Sequence, residues 1–146
     1  MSDAFTFRPL LKLRKRHEDI SRQAFAEAQA QADAVQKRLA ELRELLAQQN
    51  AQARKVIQGC PEQSLAEYRR CVTNVLAAID EQEGELQRAM ETLTVRRDEL
   101  VEAMKQRQAM AAMQAKFEHA DEAQEDRREA KEQDDLHAAH TAAKQG

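Results

Sequence analysis

Helix-breaking residues gather at one place in this chain. Between Pro9 and Gly146 they cluster only at Gly59-Cys60-Pro61. Glycine just beyond an apolar periodic run stops a helix, because it adopts the left-handed conformation without a Cβ clash. Proline two residues later cannot continue that helix. Ser64-Leu65-Ala66-Glu67 then reads as a capping box that opens the next helix. Two long helices folded back about this turn are therefore expected.

Composition supports the same answer. With 2 Pro and 3 Gly in 146 residues there is little other punctuation. Aromatic residues are 3% and charged residues 34%, too little large apolar matter for a globular core. The abundant Ala, Glu, Gln, Leu, Arg and Lys are strong helix formers, as in coiled coils. We expect one hairpin over 1–146: helix 1 at about 7–58, a turn at 59–63 and helix 2 at about 64–140.

In helix 1, Thr6 is a candidate cap and Pro9 falls in the first turn, where amides lack partners anyway. Leu10, Leu13, His17, Ile20 and Ala24 make a three-four pattern, which resumes as Val35, Leu39, Leu42, Leu46, Gln49, Ala53 and Val56. The step from Ala24 to Val35 through Ala28 and Ala32 reads as a stutter that relaxes the supercoil. In helix 2, Val72, Ile79, Leu86, Leu93 and Leu100 stand seven apart. Tyr68, Val75, Gln82, Met90, Arg97 and Met104 fill the intervening positions, and the spine stops as it reaches Arg107 and Gln114. Tyr68 packs beside the turn with its hydroxyl in water, and Gly84 has no reason in the sequence.

A turn centred near residue 61 pairs position i with about 122 − i, which sets Arg107 opposite the region of residue 15. At about 1.5 Å per residue the paired part is a rod of about 75 Å. Helix 2 should then continue alone through Met110, Met113 and Phe117 into an acidic stretch. Charge is uneven: residues 8–16 carry Arg8, Lys12, Arg14, Lys15 and Arg16 with no acid, whereas 118–135 carry nine acids against three bases.

The net charge of −3 argues against general nucleic-acid binding. No run of 18 apolar residues suggests membrane insertion, and no secretory signal is expected. Cys60 and Cys71 read as incidental thiols of a reduced, cytoplasmic protein. No catalytic constellation, phosphate loop or metal-ligand spacing stands out; His137 and His140 lack further ligands nearby. We expect no enzyme activity and no cofactor, because a two-helix rod offers no pocket that excludes water.

Several stretches resemble one family. Phe5-Thr6-Phe7-Arg8-Pro9-Leu10-Leu11-Lys12-Leu13-Arg14 resembles the F-x-[LF]-x-x-L-L-x-L-R opening of the flagellar export protein FliJ family. Tyr68-Arg69-Arg70-Cys71-Val72 followed by Leu76 to Gln82 is similar to its Y-x-x-[apolar]…L-x-x-A-I-x-x-Q stretch, and Glu129 to Leu136 to its charged ending. Pro9 inside the opening motif and Cys71 in place of a larger apolar residue depart from the pattern.

The resemblance implies an antiparallel coiled-coil stalk of a type III protein export apparatus. Such a stalk enters the hexameric export ATPase, links it to the cytoplasmic domain of the membrane export gate, and contacts export chaperones. It implies a cytoplasmic protein, peripheral to the inner-membrane apparatus and monomeric alone. Candidate contacts to the ATPase ring are Leu10, Leu11, Leu13, Arg14, Met110, Met113 and Phe117. Candidate contacts to the gate are Leu42, Leu45, Cys71, Val75, Ala78 and Gln82. The alternatives are a stalk of a virulence-type (injectisome) secretion system and a structural coiled-coil scaffold with no export role.

Overall fold

The computed structural model describes residues 3–56 and 62–145. All of them are helical, in α1 (Asp3–Val56) and the longer α2 (Glu62–Gln145). The chain is thus an all-α helical hairpin, as its breaker pattern demands. Gly59, Cys60 and Pro61, on which the turn was read, lie outside the described residues.

Helix starts differ from those read in the sequence. α1 opens at Asp3, which puts Thr6 in the helix and Pro9 inside it rather than in its first turn. Proline at that depth leaves the carbonyl four residues earlier without its amide, and the helix continues past it. α2 opens at Glu62, so Ser64 is its third residue and not its cap.

The chain divides into two compact units. One comprises Ser21–Leu100. Its core is Leu39, Val75 and Ile79, with Leu42, Leu46 and Leu86 packed against them. Ala32, Val35 and Ala53 are also buried, Val35 completely. On α1 the seam runs in two seven-residue columns, Phe25-Ala32-Leu39-Leu46-Ala53 and Ala28-Val35-Leu42-Gln49, all buried or half-buried. The expected stutter is therefore absent: Phe25 fills the column that the alanine-rich sequence had seemed to interrupt. On α2 the column Val72, Ile79, Leu86, Leu93 and Leu100 faces inward as expected. Its companion is Tyr68, Val75, Gln82, Ala89 and Arg96, not Met90 and Arg97, which are exposed. Counting strict sevens from Tyr68 selects small Ala89 over larger Met90; side-chain size had misdirected the register.

The second unit joins residues 1–20 to residues 101–146. Here too the seam keeps the seven-residue count, and it does not stop at Arg107. Phe7 stacks on Phe117, with ring centroids 5.1 Å apart and planes within 13°. Arg14 Nη1 donates to Gln106 Oε1 at 2.8 Å, and Arg107 Nε donates to Glu18 Oε2 in an ion pair whose carboxylate is buried. Arg8 approaches Glu118 at 3.6 Å. Met110 and Phe117 are consequently paired, and every residue from Gln124 to Gln145 is exposed.

His17 and the leucines and isoleucine of its column point away from this seam. Leu13 is 64% exposed, Ile20 59% and Leu10 43%, and His17 is exposed as well. Hydrophobicity and three-four spacing alone point Leu10, Leu13 and Ile20 to the interface. The seven-residue count from Leu39 and Val35 puts Leu11, Arg14 and Glu18 there instead.

Contacts between the helices give the pairing. Phe7 meets Phe117, Arg8 meets Glu118, Arg14 meets Gln106 and Glu18 meets Arg107. Arg43 meets Glu83, Gln49 meets Cys71 and Asn50 meets Tyr68. The two numbers of each pair add to between 118 and 126, bracketing the sum of about 122 expected from the turn. Within each unit the helices therefore run antiparallel.

Candidate functional site

Two outward edges hold six of the thirteen contact candidates read in the sequence. In the unit built from residues 1–20 and 101–146, Leu10, Leu13 and Met113 are exposed. Leu10 and Met113 occupy facing flank positions on the two helices, one residue before the seam residues Leu11 and Gln114. Leu13 and Ile20 extend this apolar strip along α1. Lys12, Lys15 and Arg16 are exposed on the same helix, so the strip lies on a basic stretch of α1.

The other ring-contact candidates have work inside the hairpin. Leu11 and Met110 are half-buried along the seam. Arg14 is bonded to Gln106, and Phe117 is stacked on Phe7. Of the seven residues, Leu10, Leu13 and Met113 are exposed with no cross-helix contact in the seam among the described residues, and Arg14 is exposed but bonded to Gln106.

The gate candidates sort the same way. Val75 is in the core, and Leu42 is packed against it. Gln82 is half-buried at a seam position, with an Oε1 that has no hydrogen-bond partner. Leu45 is exposed, and Ala78 half-buried, at facing flank positions of the unit Ser21–Leu100. Cys71, one heptad before Ala78, is exposed and accepts a hydrogen bond from Gln49 Nε2 at 3.2 Å. Leu45 also lines an open groove of about 550 Å³ on α1, formed with Lys37, Ala40, Glu41, Glu44 and Gln48. Leu76 is exposed as well, and it falls outside the core columns, so the heptad count does not single it out as a contact.

Electrostatic and polar contacts complete the picture. Tyr68 is half-buried and its hydroxyl donates to Asn50 Oδ1 at 2.7 Å rather than to water alone. Arg43 bridges to Glu83 at 3.2 Å across the pair. These contacts, and the Glu18–Arg107 pair above all, were legible only to a strict heptad count. Among the described residues no group of three or more His, Cys, Asp or Glu is placed to hold a metal ion. No helix in them is long and apolar enough to cross a membrane.

The class defined by these features is an antiparallel coiled-coil hairpin that keeps apolar side chains on its outer edges. The family model of the flagellar FliJ protein matches residues 3–146, and the chain belongs to that family. The family's work is flagellar type III protein export, as a structural or adaptor component and not as an enzyme. No curated protein and no solved structure matches the chain.

Proposed function

We propose that this chain is the central stalk of a flagellar export apparatus. It enters the export ATPase hexamer, links that ring to the cytoplasmic domain of the export gate, and contacts export chaperones. The ring contact is the edge carrying Leu10, Leu13 and Met113; the gate contact is the edge carrying Leu45, Cys71 and Ala78. It works in the cytoplasm, at the inner-membrane apparatus, as a monomeric adaptor without a cofactor.

One observation carries the ring contact: α1 presents Leu10, Leu13 and Ile20 to solvent while Arg14 and Glu18 lie toward α2. A hairpin optimised only for its own stability would reverse that arrangement, because burying a large apolar side chain stabilises by about 1.5–3 kcal/mol. Contiguous apolar residues on a solvated helix suit a partner helix or groove. The family match favours the flagellar branch over the injectisome branch.

The test measures ATP turnover by the cognate flagellar export ATPase with and without the chain. Stimulation by the native chain, abolished in Leu10→Ser/Leu13→Ser while helicity is retained, is the expected result. Neither stimulation nor co-sedimentation with the ATPase would sink the stalk reading. Retained stimulation in the double variant would move the contact elsewhere.

A further inference from the structure

We infer that α1 between Leu10 and Ala24 has a second seam register, one residue round from the observed one, and that the Glu18–Arg107 ion pair holds it in the first. Two columns compete for the same place. The observed column is Leu11, Arg14, Glu18, Ser21 and Phe25; its neighbour is Leu10, Leu13, His17, Ile20 and Ala24. The first carries two charges and a hydroxyl. The second carries three large aliphatic side chains, all exposed.

Both columns converge on Ala28 and Ala32. From Phe25 the observed seam reaches Ala28 in three residues and Ala32 in four more, keeping the heptad. From Ala24 the steps are four and four, which is a stutter, a local unwinding that coiled coils tolerate. Alanine side chains are small enough for either path. Beyond Val35, where the side chain is fully buried, the core leaves one register.

The partner surface on α2 is no obstacle to the change. In the unit of residues 1–20 and 101–146 it offers Ala103, Arg107, Met110 and Gln114. Gln114 Oε1 is buried with no hydrogen-bond partner, so the observed register leaves a polar atom unsatisfied. Arg107 keeps 28% of its side chain exposed, and an arginine can carry its charge into water along its stem. Opposing these terms is the charged pair: turning α1 by one residue pulls Glu18 off Arg107 and Arg14 off Gln106. Adjacent states of a helix pair separated by such a balance act as a two-state element. Turning would hide Leu10, Leu13 and Ile20 against α2, so the edge proposed for the ring would be switched off. That consequence rests on the stalk reading; the register change itself does not.

The experiment uses the full chain alone, with Cys60→Ser and Cys71→Ser removing native thiols. Single cysteines at Leu13→Cys and Arg14→Cys are labelled with a maleimide, with and without Glu18→Gln. Releasing the ion pair should slow labelling at position 13 by about fivefold and quicken it at position 14, as a shift of about four fifths of the population requires. The charge-swapped pair Glu18→Arg/Arg107→Glu should return both rates to their starting values. Unchanged rates, or quickening at both positions, would overturn the inference, the latter because it reports unfolding. So would a swap that fails to restore the pattern. Because no ATPase is present, failure here leaves the ring contact untouched.

Discussion

The two units of the hairpin use one heptad count to opposite ends. In Ser21–Leu100 the inward columns meet in an aliphatic cluster of Leu39, Val75 and Ile79, flanked by Leu42, Leu46 and Leu86. In residues 1–20 with 101–146 the same count brings Arg14, Glu18, Arg107 and Gln114 to the seam and leaves Leu10, Leu13 and Met113 outside. The first arrangement is what stability favours, since apolar burial contributes about 25 cal/mol per Å². The second gives up stability and leaves apolar surface open to solvent. Seam polarity, not helical propensity, separates the two ends, for both are strongly helix-forming.

The largest effect that tests this contrast is in the aliphatic unit. Leu39 is buried at its centre, and Leu39→Ala should cost about 2–5 kcal/mol, the range for a buried leucine truncated in a packed core. Thermal unfolding followed by circular dichroism would show it. A cost below that range would mean that this seam is no better packed than the polar one.

Next in size is the ion pair of the polar unit. Glu18→Ala leaves Arg107 without its carboxylate. A fully buried orphaned charge costs about 3–5 kcal/mol, but Arg107 retains solvent access, so about 1–2 kcal/mol is expected. Replacing both residues, as Glu18→Leu/Arg107→Leu, should be neutral or stabilising, since an apolar pair needs no desolvation of charge. A double variant much less stable than Glu18→Ala would show that the pair contributes more than its burial costs, and the contrast between the units would narrow.

How far the sequence foretold this contrast depends on the element. The antiparallel pairing was legible, because a single expected sum of about 122 fixes every partner and the observed pairs add to between 118 and 126. The α2 spine from Val72 to Leu100 was legible because its apolar residues repeat at sevens. The α1 register before Val35 was not. Leu10, Leu13 and Ile20 attract assignment to the interface by hydrophobicity, whereas Leu39 and Val35 dictate the register from the far side of an alanine stretch too small to declare either. Arg107 and Gln114 misled in the mirror sense: polarity suggested that the seam ended where it continues through Phe7 and Phe117. Of the candidate contacts, the outward ones were separable from the core only once the register was known. Val75 and Gln82 fell to the seam, and Leu45 stayed outside.

A smaller effect sharpens the aliphatic side of the comparison. Gly84 lies inside α2 with ordinary helical conformation among the described residues. A Cβ added there would meet only the end of the Arg88 side chain, at 3.6 Å. Nothing in the packing requires glycine, so Gly84→Ala should stabilise by about 1 kcal/mol, the difference in helix propensity. Its midpoint in urea should rise with an unchanged slope. Loss of stability would reveal a packing role that the neighbouring contacts do not show.

The smallest effect compares the cross-helix surface pairs of the two units. Arg43 and Glu83 approach to 3.2 Å in one, and Arg8 and Glu118 to 3.6 Å in the other; the first three side chains are half or more exposed and that of Glu118 is 41% exposed. Such pairs contribute about 0–1 kcal/mol. Arg43→Ala and Arg8→Ala should each lie within that range, and their effects should shrink together as salt screens them. The buried carboxylate of Glu18 is shielded from bulk ions, so the cost of Glu18→Ala should persist in high salt. Parallel unfolding curves at about 0.05 and 1 M salt separate the two behaviours, by the fall in screening length from about 14 Å to 3 Å. If Glu18→Ala lost its effect as fast as Arg43→Ala, its pair would be a surface contact in solution. The polar unit would then be open along its seam and not merely polar.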